Sequence, residues 1–160
     1  MMKEISVFLE NEKSTSELGL KLSKNLSAGL LLFLKGDLGA GKTCLVRSIL
    51  INLGYQGKVK SPSYSLFEQY SIDDKTINHF DLYRFKSAEE WLSAGFNDYI
   101  NVHDITIIEW PEKAKNVLCD SDIEIEIVYD KEISRRALIR AKSKKGEAVC
   151  KDLVLSLIHI

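Results

Sequence analysis

Proline is nearly absent from this 160-residue chain, which has only Pro62 and Pro111, and no low-complexity tract or linker interrupts it. That excludes a disordered or fibrous class. Cysteine is as sparse: Cys44, Cys119 and Cys150 are odd in number and form no CxxC pair. A disulfide framework is therefore excluded, and the three read as buried thiols in a reducing compartment. Neither sign of charge dominates, since 22 basic residues meet 23 acidic ones. This argues against a broad basic face for free nucleic acid. Long apolar runs are missing too. Leu30 to Leu34 is far short of the roughly 20 residues a membrane helix needs. The N-terminal MMKEISVFLENE carries acids where a signal peptide has an apolar stretch. The expectation is a soluble cytoplasmic protein, with no membrane partner. At this length, residues 1–160 are expected to form a single domain, able to bury roughly 70% of its unfolded surface.

The hydrophobic pattern alternates between two periods. Ile5, Val7 and Leu9 predict a strand, and Leu18, Leu22 and Leu26 predict one face of a helix capped by Ser14 or Thr15 and ended by Gly29. Leu30 to Leu34 predicts a buried strand. Leu45 to Leu53 predicts a helix closed by Gly54. Strands are expected over Tyr64 to Tyr70, Ile77 to Tyr83, Ile105 to Glu109, Ile123 to Ile127 and Ala137 to Ala141. Ser87 is expected to cap a helix ending near Gly95, Pro111 to open a short helix, and Glu147 to Ile160 to form a terminal helix, with a strand over its last residues as the other reading. Buried and half-exposed strands mixed with helices imply an α/β fold with a central mixed β-sheet flanked by helices.

One motif carries chemistry. Gly36-Asp37-Leu38-Gly39-Ala40-Gly41-Lys42-Thr43 fits GxxxxGK[ST], the phosphate-binding loop. Glycines let the backbone approach a phosphate, the loop amides converge on it, and the following helix points its positive dipole end at it. An apolar strand runs in and an amphipathic helix runs out, the arrangement that the motif requires. Lys42 then reaches the β- and γ-phosphates of ATP, and the Thr43 hydroxyl holds Mg2+. The second acid such a site needs at a strand end is Glu109, with Asp81 as the other candidate, able to orient a water, accept its proton or bind the metal through water. His79, a lone histidine, reads as structural rather than as a metal ligand. Trp110 reads as packing close to the nucleotide. Arg84 reads as a partner of Asp81 or a phosphate, or as a surface ion pair. Lys142, Lys144 and Lys145 read as a solvated hairpin turn, with RNA contact as the other reading.

GDLGAGKT (Gly36 to Thr43), SPSYSL (Ser61 to Leu66), HFDLYR (His79 to Arg84) and IIEWPEK (Ile107 to Lys113) together resemble the TsaE (YjeE) family in order and spacing. These are small bacterial ATPases needed to make threonylcarbamoyladenosine in tRNA. The resemblance implies a P-loop NTPase-like fold, slow hydrolysis of ATP with Mg2+, and association with the TsaB and TsaD proteins. tRNA would be met indirectly, through that complex. It further implies Lys42, Asp81 and Glu109 as catalytic residues and Thr43 and Glu109 as magnesium ligands. The nucleotide contacts are Thr15 and the run Gly36, Asp37, Leu38, Gly39, Ala40, Gly41, Lys42, Thr43 and Cys44. Ser61 to Ser65 resembles a switch-like segment, although the family commonly reads SPTFTL there. Arg135 or Arg136 is implied to lie near the base, with the choice between them open. Two other readings of the P-loop are a small-molecule kinase, against which the arginines are dispersed, and a GTP switch, for which no [NT]KxD or DxxG is present.

Overall fold

The computed structural model describes residues 4–60 and 66–158. The switch-like Ser61–Ser65, including Tyr64 of the expected strand, lies outside the described residues, as do positions 159 and 160. In chain order the strands are β1 (Ile5–Leu9), β2 (Leu31–Gly36), β3 (Phe67–Ile72), β4 (Lys75–Asp81), β5 (Ile105–Glu109), β6 (Ile123–Tyr129) and β7 (Arg135–Ala141). They form one mixed sheet in the order β1-β7-β6-β2-β5-β4-β3. β4, β5, β2 and β6 run parallel at its centre, and β3, β7 and β1 add antiparallel edges. The fold is therefore α/β with a central mixed sheet flanked by helices. The apolar runs LLFL of β2 and ITII of β5 fit strands covered on both faces, whereas IEIEIVY of β6 alternates because only one of its faces is covered.

The helices are α1 (Glu12–Ser23), α2 (Lys42–Leu53), α3 (Glu89–Ser93) and α4 (Lys144–Ile158). Side chains alternate across the sheet. Leu32, Leu34, Ile105, Ile107, Ile123 and Ile125 point to the face where α1, α2 and α4 pack. Leu45, Val46, Ile49 and Leu50 of α2 are wholly buried there, each contributing about 1.5–3 kcal/mol. On the other face Leu31, Ile108 and Phe80 meet Trp91 and Phe96, with ring centroids of Phe80 and Trp91 4.9 Å apart. Over β6 and β7 that face instead carries a lattice of charges. Arg140 bonds Glu4, Glu124 and Glu126 at 2.6, 3.0 and 3.1 Å, and Lys35 meets Glu124 at 3.0 Å. Burial pushes the Glu124 carboxyl up, but Lys35 and Arg140 outweigh it and hold it below its ordinary value.

Several boundaries differ from the sequence expectation. α1 is capped by Asn11, not by Ser14 or Thr15. The Asn11 side chain accepts from the Ser14 amide at 3.1 Å, leaving Thr15 inside the first turn. The helix stops at Ser23, and Gly29 instead leads into β2, its amide donating to Asp104 O. α3 begins two residues after Ser87, whose carbonyl, not its hydroxyl, meets the helix. Pro111 opens a 3-10 turn, Pro111–Ala114. α4 starts three residues early because Ser143 caps it: its hydroxyl accepts from the Gly146 amide at 3.0 Å. Lys144 and Lys145 therefore belong to a helix rather than to a solvated turn. Of the cysteines only Cys150 is buried; Cys44 is half-buried and Cys119 exposed.

α4 lies so close to the start of β6 that a Cβ built on Gly146 would stand 1.9 Å from the Asp122 carbonyl oxygen. Gly146→Ala is expected to lower stability by about 1–3 kcal/mol, because this clash outweighs the gain in helix propensity. A urea midpoint equal to or above that of the unaltered protein would contradict the close approach.

Candidate nucleotide site

β2 ends at Gly36 and α2 begins at Lys42, so the loop between them sits at the C-terminal edge of the parallel strands. Gly36, Gly39 and Gly41 all have positive φ, and a Cβ on Gly36 would lie 2.7 Å from Ile127 O of β6. The loop thus follows a path over the sheet edge that an L side chain at Gly36 would block. Asp37 O accepts from the Ala40 amide at 3.1 Å, Ala40 is buried, and Tyr129 braces the loop by donating to Leu38 O at 3.1 Å. Among the described residues no side chain caps α2, so its first amides and dipole face the space above the loop. Thr15 is buried against this turn: a Cβ on Gly41 would meet its Cγ2 at 3.9 Å, while its hydroxyl turns back to Asn11 O at 3.5 Å.

Strand register brings the acids together. Asp81 of β4 pairs with Glu109 of β5, and Glu109 with Leu34 of β2. Both acids end their strands on the face toward α2, and both are nearly buried, at 7% and 3% exposure. Asp81 Oδ1 accepts from the Tyr83 amide at 2.9 Å. Glu109 Oε2 lies 2.6 Å from His79 Nε2, and His79 is wholly buried. The Lys42 ammonium donates to Gly36 O and sits 4.1 Å from the centroid of the Trp110 ring. Burial pushes the Lys42 ammonium below its ordinary pKa, and Glu109, Asp81, Glu112 and Asp37 resist that shift in this order. Trp110 takes φ 57°, a left-handed conformation unusual for a residue before proline. This conformation leaves its ring over Lys42, and Tyr83 packs on it at 5.0 Å.

Lys42, Asp81, Glu109 and Trp110 line a cleft of about 280 Å³, with Leu38, Gly39, Gly41, Thr43, Cys44 and Arg47 along its walls. A larger hollow of about 580 Å³ lies under Leu66, Arg84 and Phe85. Its lining does not include the loop, Lys42, Asp81 or Glu109, so chemistry rather than size marks the candidate site. Among the described residues, no group of three or more His, Cys, Asp or Glu is placed to hold a metal ion. Thr43 and Glu109 offer hard oxygen donors that suit Mg2+ shared with phosphates, a cation seldom held by protein alone. The sequence reading brought most of this constellation together. It gave no role to Arg47 on the cleft wall or to the Tyr129 brace, and it missed that His79 touches Glu109. The signal for the last was the i, i+2 spacing of His79 and Asp81, which puts both on one face of β4. Of the two arginines left open, Arg135 stacks on Tyr129 at 4.0 Å, beside the loop, while Arg136 turns to Phe8, Ser6 and Asp130.

Known proteins resemble this chain over most of its length. The family model described as "Threonylcarbamoyl adenosine biosynthesis protein TsaE" matches residues 9–138. The tRNA threonylcarbamoyladenosine biosynthesis protein TsaE of Haemophilus influenzae is 41% identical over 133 residues, covering 80% of this chain and 84% of that protein. The Rickettsia felis protein of the same name is 34% identical over 144 residues, covering 89% and 84%. The crystal structure of Bacillus subtilis YdiB superposes with a TM-score of 0.84, covering 98% of this chain and 97% of that one. At 22% identity this is a likeness of fold.

Two measurements check the geometry. Binding of ATP with Mg2+ is expected to change the fluorescence of Trp110, and Trp110→Phe to abolish that change, since Trp91 is fully buried in the aromatic cluster. A response that persists in Trp110→Phe would place the nucleotide elsewhere. The second concerns Lys42. Unfolded, it keeps its proton up to its ordinary pKa of 10.5; folded, it loses it earlier. Between those limits the unfolded state binds more protons, so stability rises with pH. The stability of the unaltered protein should therefore gain on that of Lys42→Met as pH rises toward 10.5, and parallel curves would contradict the burial of the ammonium.

Proposed function

Because the chain belongs to the TsaE family, we propose that it binds ATP with Mg2+, hydrolyses it slowly, and serves tRNA threonylcarbamoyladenosine biosynthesis as an accessory ATPase to TsaB and TsaD. The observation that carries this reading is the convergence of Lys42, Thr43, Asp81 and Glu109 on one phosphate loop. The family match supports the pathway. A single seven-stranded sheet supports reading residues 1–160 as one P-loop domain. No helix among the described residues is long and apolar enough to cross a membrane, and the proposed site of action is the cytoplasm, where tRNA is reached through the TsaB–TsaD complex.

In this reading the loop amides and the start of α2 hold the β- and γ-phosphates, and Lys42 leaves the Gly36 carbonyl to meet them. Thr43 and Glu109 hold the magnesium ion, which when bound neutralises charge on the phosphate oxygens. Asp81, whose Oδ1 accepts from the Tyr83 amide, orients the attacking water. Trp110 covers Lys42 and excludes solvent from it. The near-burial of Lys42, Asp81 and Glu109 strengthens each of these interactions relative to water. Slow turnover in isolation follows if a group worth about 10³–10⁵ in rate comes from a partner, as an arginine finger does elsewhere.

The test is ATP hydrolysis by the purified protein, alone and with TsaB–TsaD from the same source. The pair is expected to stimulate it, with no phosphate passed to a small molecule. Asp81→Ala is expected to keep ATP binding and lose about a hundredfold or more in stimulated rate. Rapid turnover alone, or phosphate transfer to a metabolite, would contradict the accessory role.

A further inference from the structure

His79 has no part in the chemistry just described, yet it is wholly buried on β4, in register with Ile107 and two residues from Ile77. On its other side the register partner is Glu68 of β3, and Asp81 is two residues on; toward β5 the surroundings are aliphatic, and there an aliphatic side chain would pack at less cost than a histidine. The cost is visible: Nδ1 is buried with no hydrogen-bond partner among the described residues. Buried polar atoms are normally paired, and an exception asks for a reason. The other ring nitrogen supplies one, since Nε2 lies 2.6 Å from Glu109 Oε2, a contact between two buried side chains.

The two nitrogens have different roles. A carboxylate only accepts, so Nε2 carries the hydrogen. Nδ1 is then a bare lone pair; a proton there would be a buried donor with no partner, the costlier state. The geometry therefore turns the Nε2–H toward Glu109. A hydrogen bond from Nε2–H to a carboxylate is short and strong, and it fixes Oε2 toward the sheet interior. Glu109 itself lines the cleft and His79 does not.

We infer that His79 is the positioning residue for Glu109, pinning Oε2 inside the sheet so that the carboxylate presents Oε1 to a divalent cation in the cleft. The inference deepens the proposed function and rests on it. Partners one shell behind a metal ligand commonly set its orientation, and their loss typically costs 10–100-fold in metal affinity. Asp81, also a strand-end acid, is anchored differently, by the Tyr83 backbone amide. His79 contacts Glu109, so a change at His79 should reach that carboxylate first.

The experiment titrates Mn2+ into the full-length protein with ATP present and reads free Mn2+ by its electron paramagnetic resonance signal. His79→Leu is expected to raise the half-saturating Mn2+ concentration about tenfold. His79→Gln, which keeps an N–H donor of sufficient reach, should recover most of that loss. Affinity for ATP in the absence of metal should stay unchanged in both. In a Glu109→Gln background, His79→Leu should add no further loss, because there is no carboxylate left to position. Unaltered Mn2+ affinity in His79→Leu would overturn the inference, and so would an equal loss with and without the Glu109 carboxylate. Should the leucine variant not fold, His79→Gln and His79→Asn make the same comparison. Gln reaches the carboxylate and the shorter Asn does not, so equal Mn2+ affinity in those two also overturns it. Absence of ATP-dependent Mn2+ uptake by the unaltered protein would sink the proposed function, and this inference with it; loss confined to the variants cannot be mistaken for that.

Discussion

The site depends on one constraint, the register of three parallel strands. Because Asp81 sits opposite Glu109 and Glu109 opposite Leu34, two carboxylates end beside the strand that feeds the phosphate loop. A slip of one residue in β4 or β5 would turn Asp81 or Glu109 to the opposite face. That face belongs to Phe80, Trp91 and Phe96, where a carboxylate would meet rings instead of a lysine. The aromatic cluster on one side and the aliphatic core on the other therefore fix the register, and the register fixes the chemistry.

Burial sets the strength of that chemistry. Lys42, Asp81 and Glu109 are each less than a tenth exposed, and charges in such surroundings interact more strongly than in water. The same burial makes an uncompensated charge costly, which is why Lys42 has both a carbonyl and four acids around it. A polyanionic ligand would enter a site whose cation is already largely desolvated. The left-handed backbone at Trp110 belongs to the same arrangement, storing local strain to keep an aromatic ring over the ammonium.

Much of this was legible in the sequence, for physical reasons. The apolar run before Gly36 and the periodic run after Lys42 leave few choices other than strand, loop and helix, and all three formed. Ile105 to Ile108 could only be a buried strand, so Glu109 had to end it. What escaped depends on contacts between residues distant in sequence. Nothing local says that Tyr129 reaches Leu38, or that Arg47 rather than Arg84 lines the loop cleft. His79 looked structural because a lone histidine carries no spacing signal, and only the fold shows that its ring ends on Glu109. The helix starts were misplaced where capping residues competed: Asn11 won over Ser14 and Thr15, and Ser143 extended α4 beyond the expected Glu147. Ser61–Ser65 lies outside the described residues, so its switch-like character rests on the sequence alone.

A crystal structure of the protein with a non-hydrolysable ATP analogue and Mn2+, located by its anomalous signal, tests the central claim most directly. The account predicts the γ-phosphate at Lys42 and the metal between that phosphate, Thr43 and Glu109, with Asp81 facing the phosphate from the other side. Nucleotide bound away from the loop, or metal bound without Thr43 and Glu109, would contradict it.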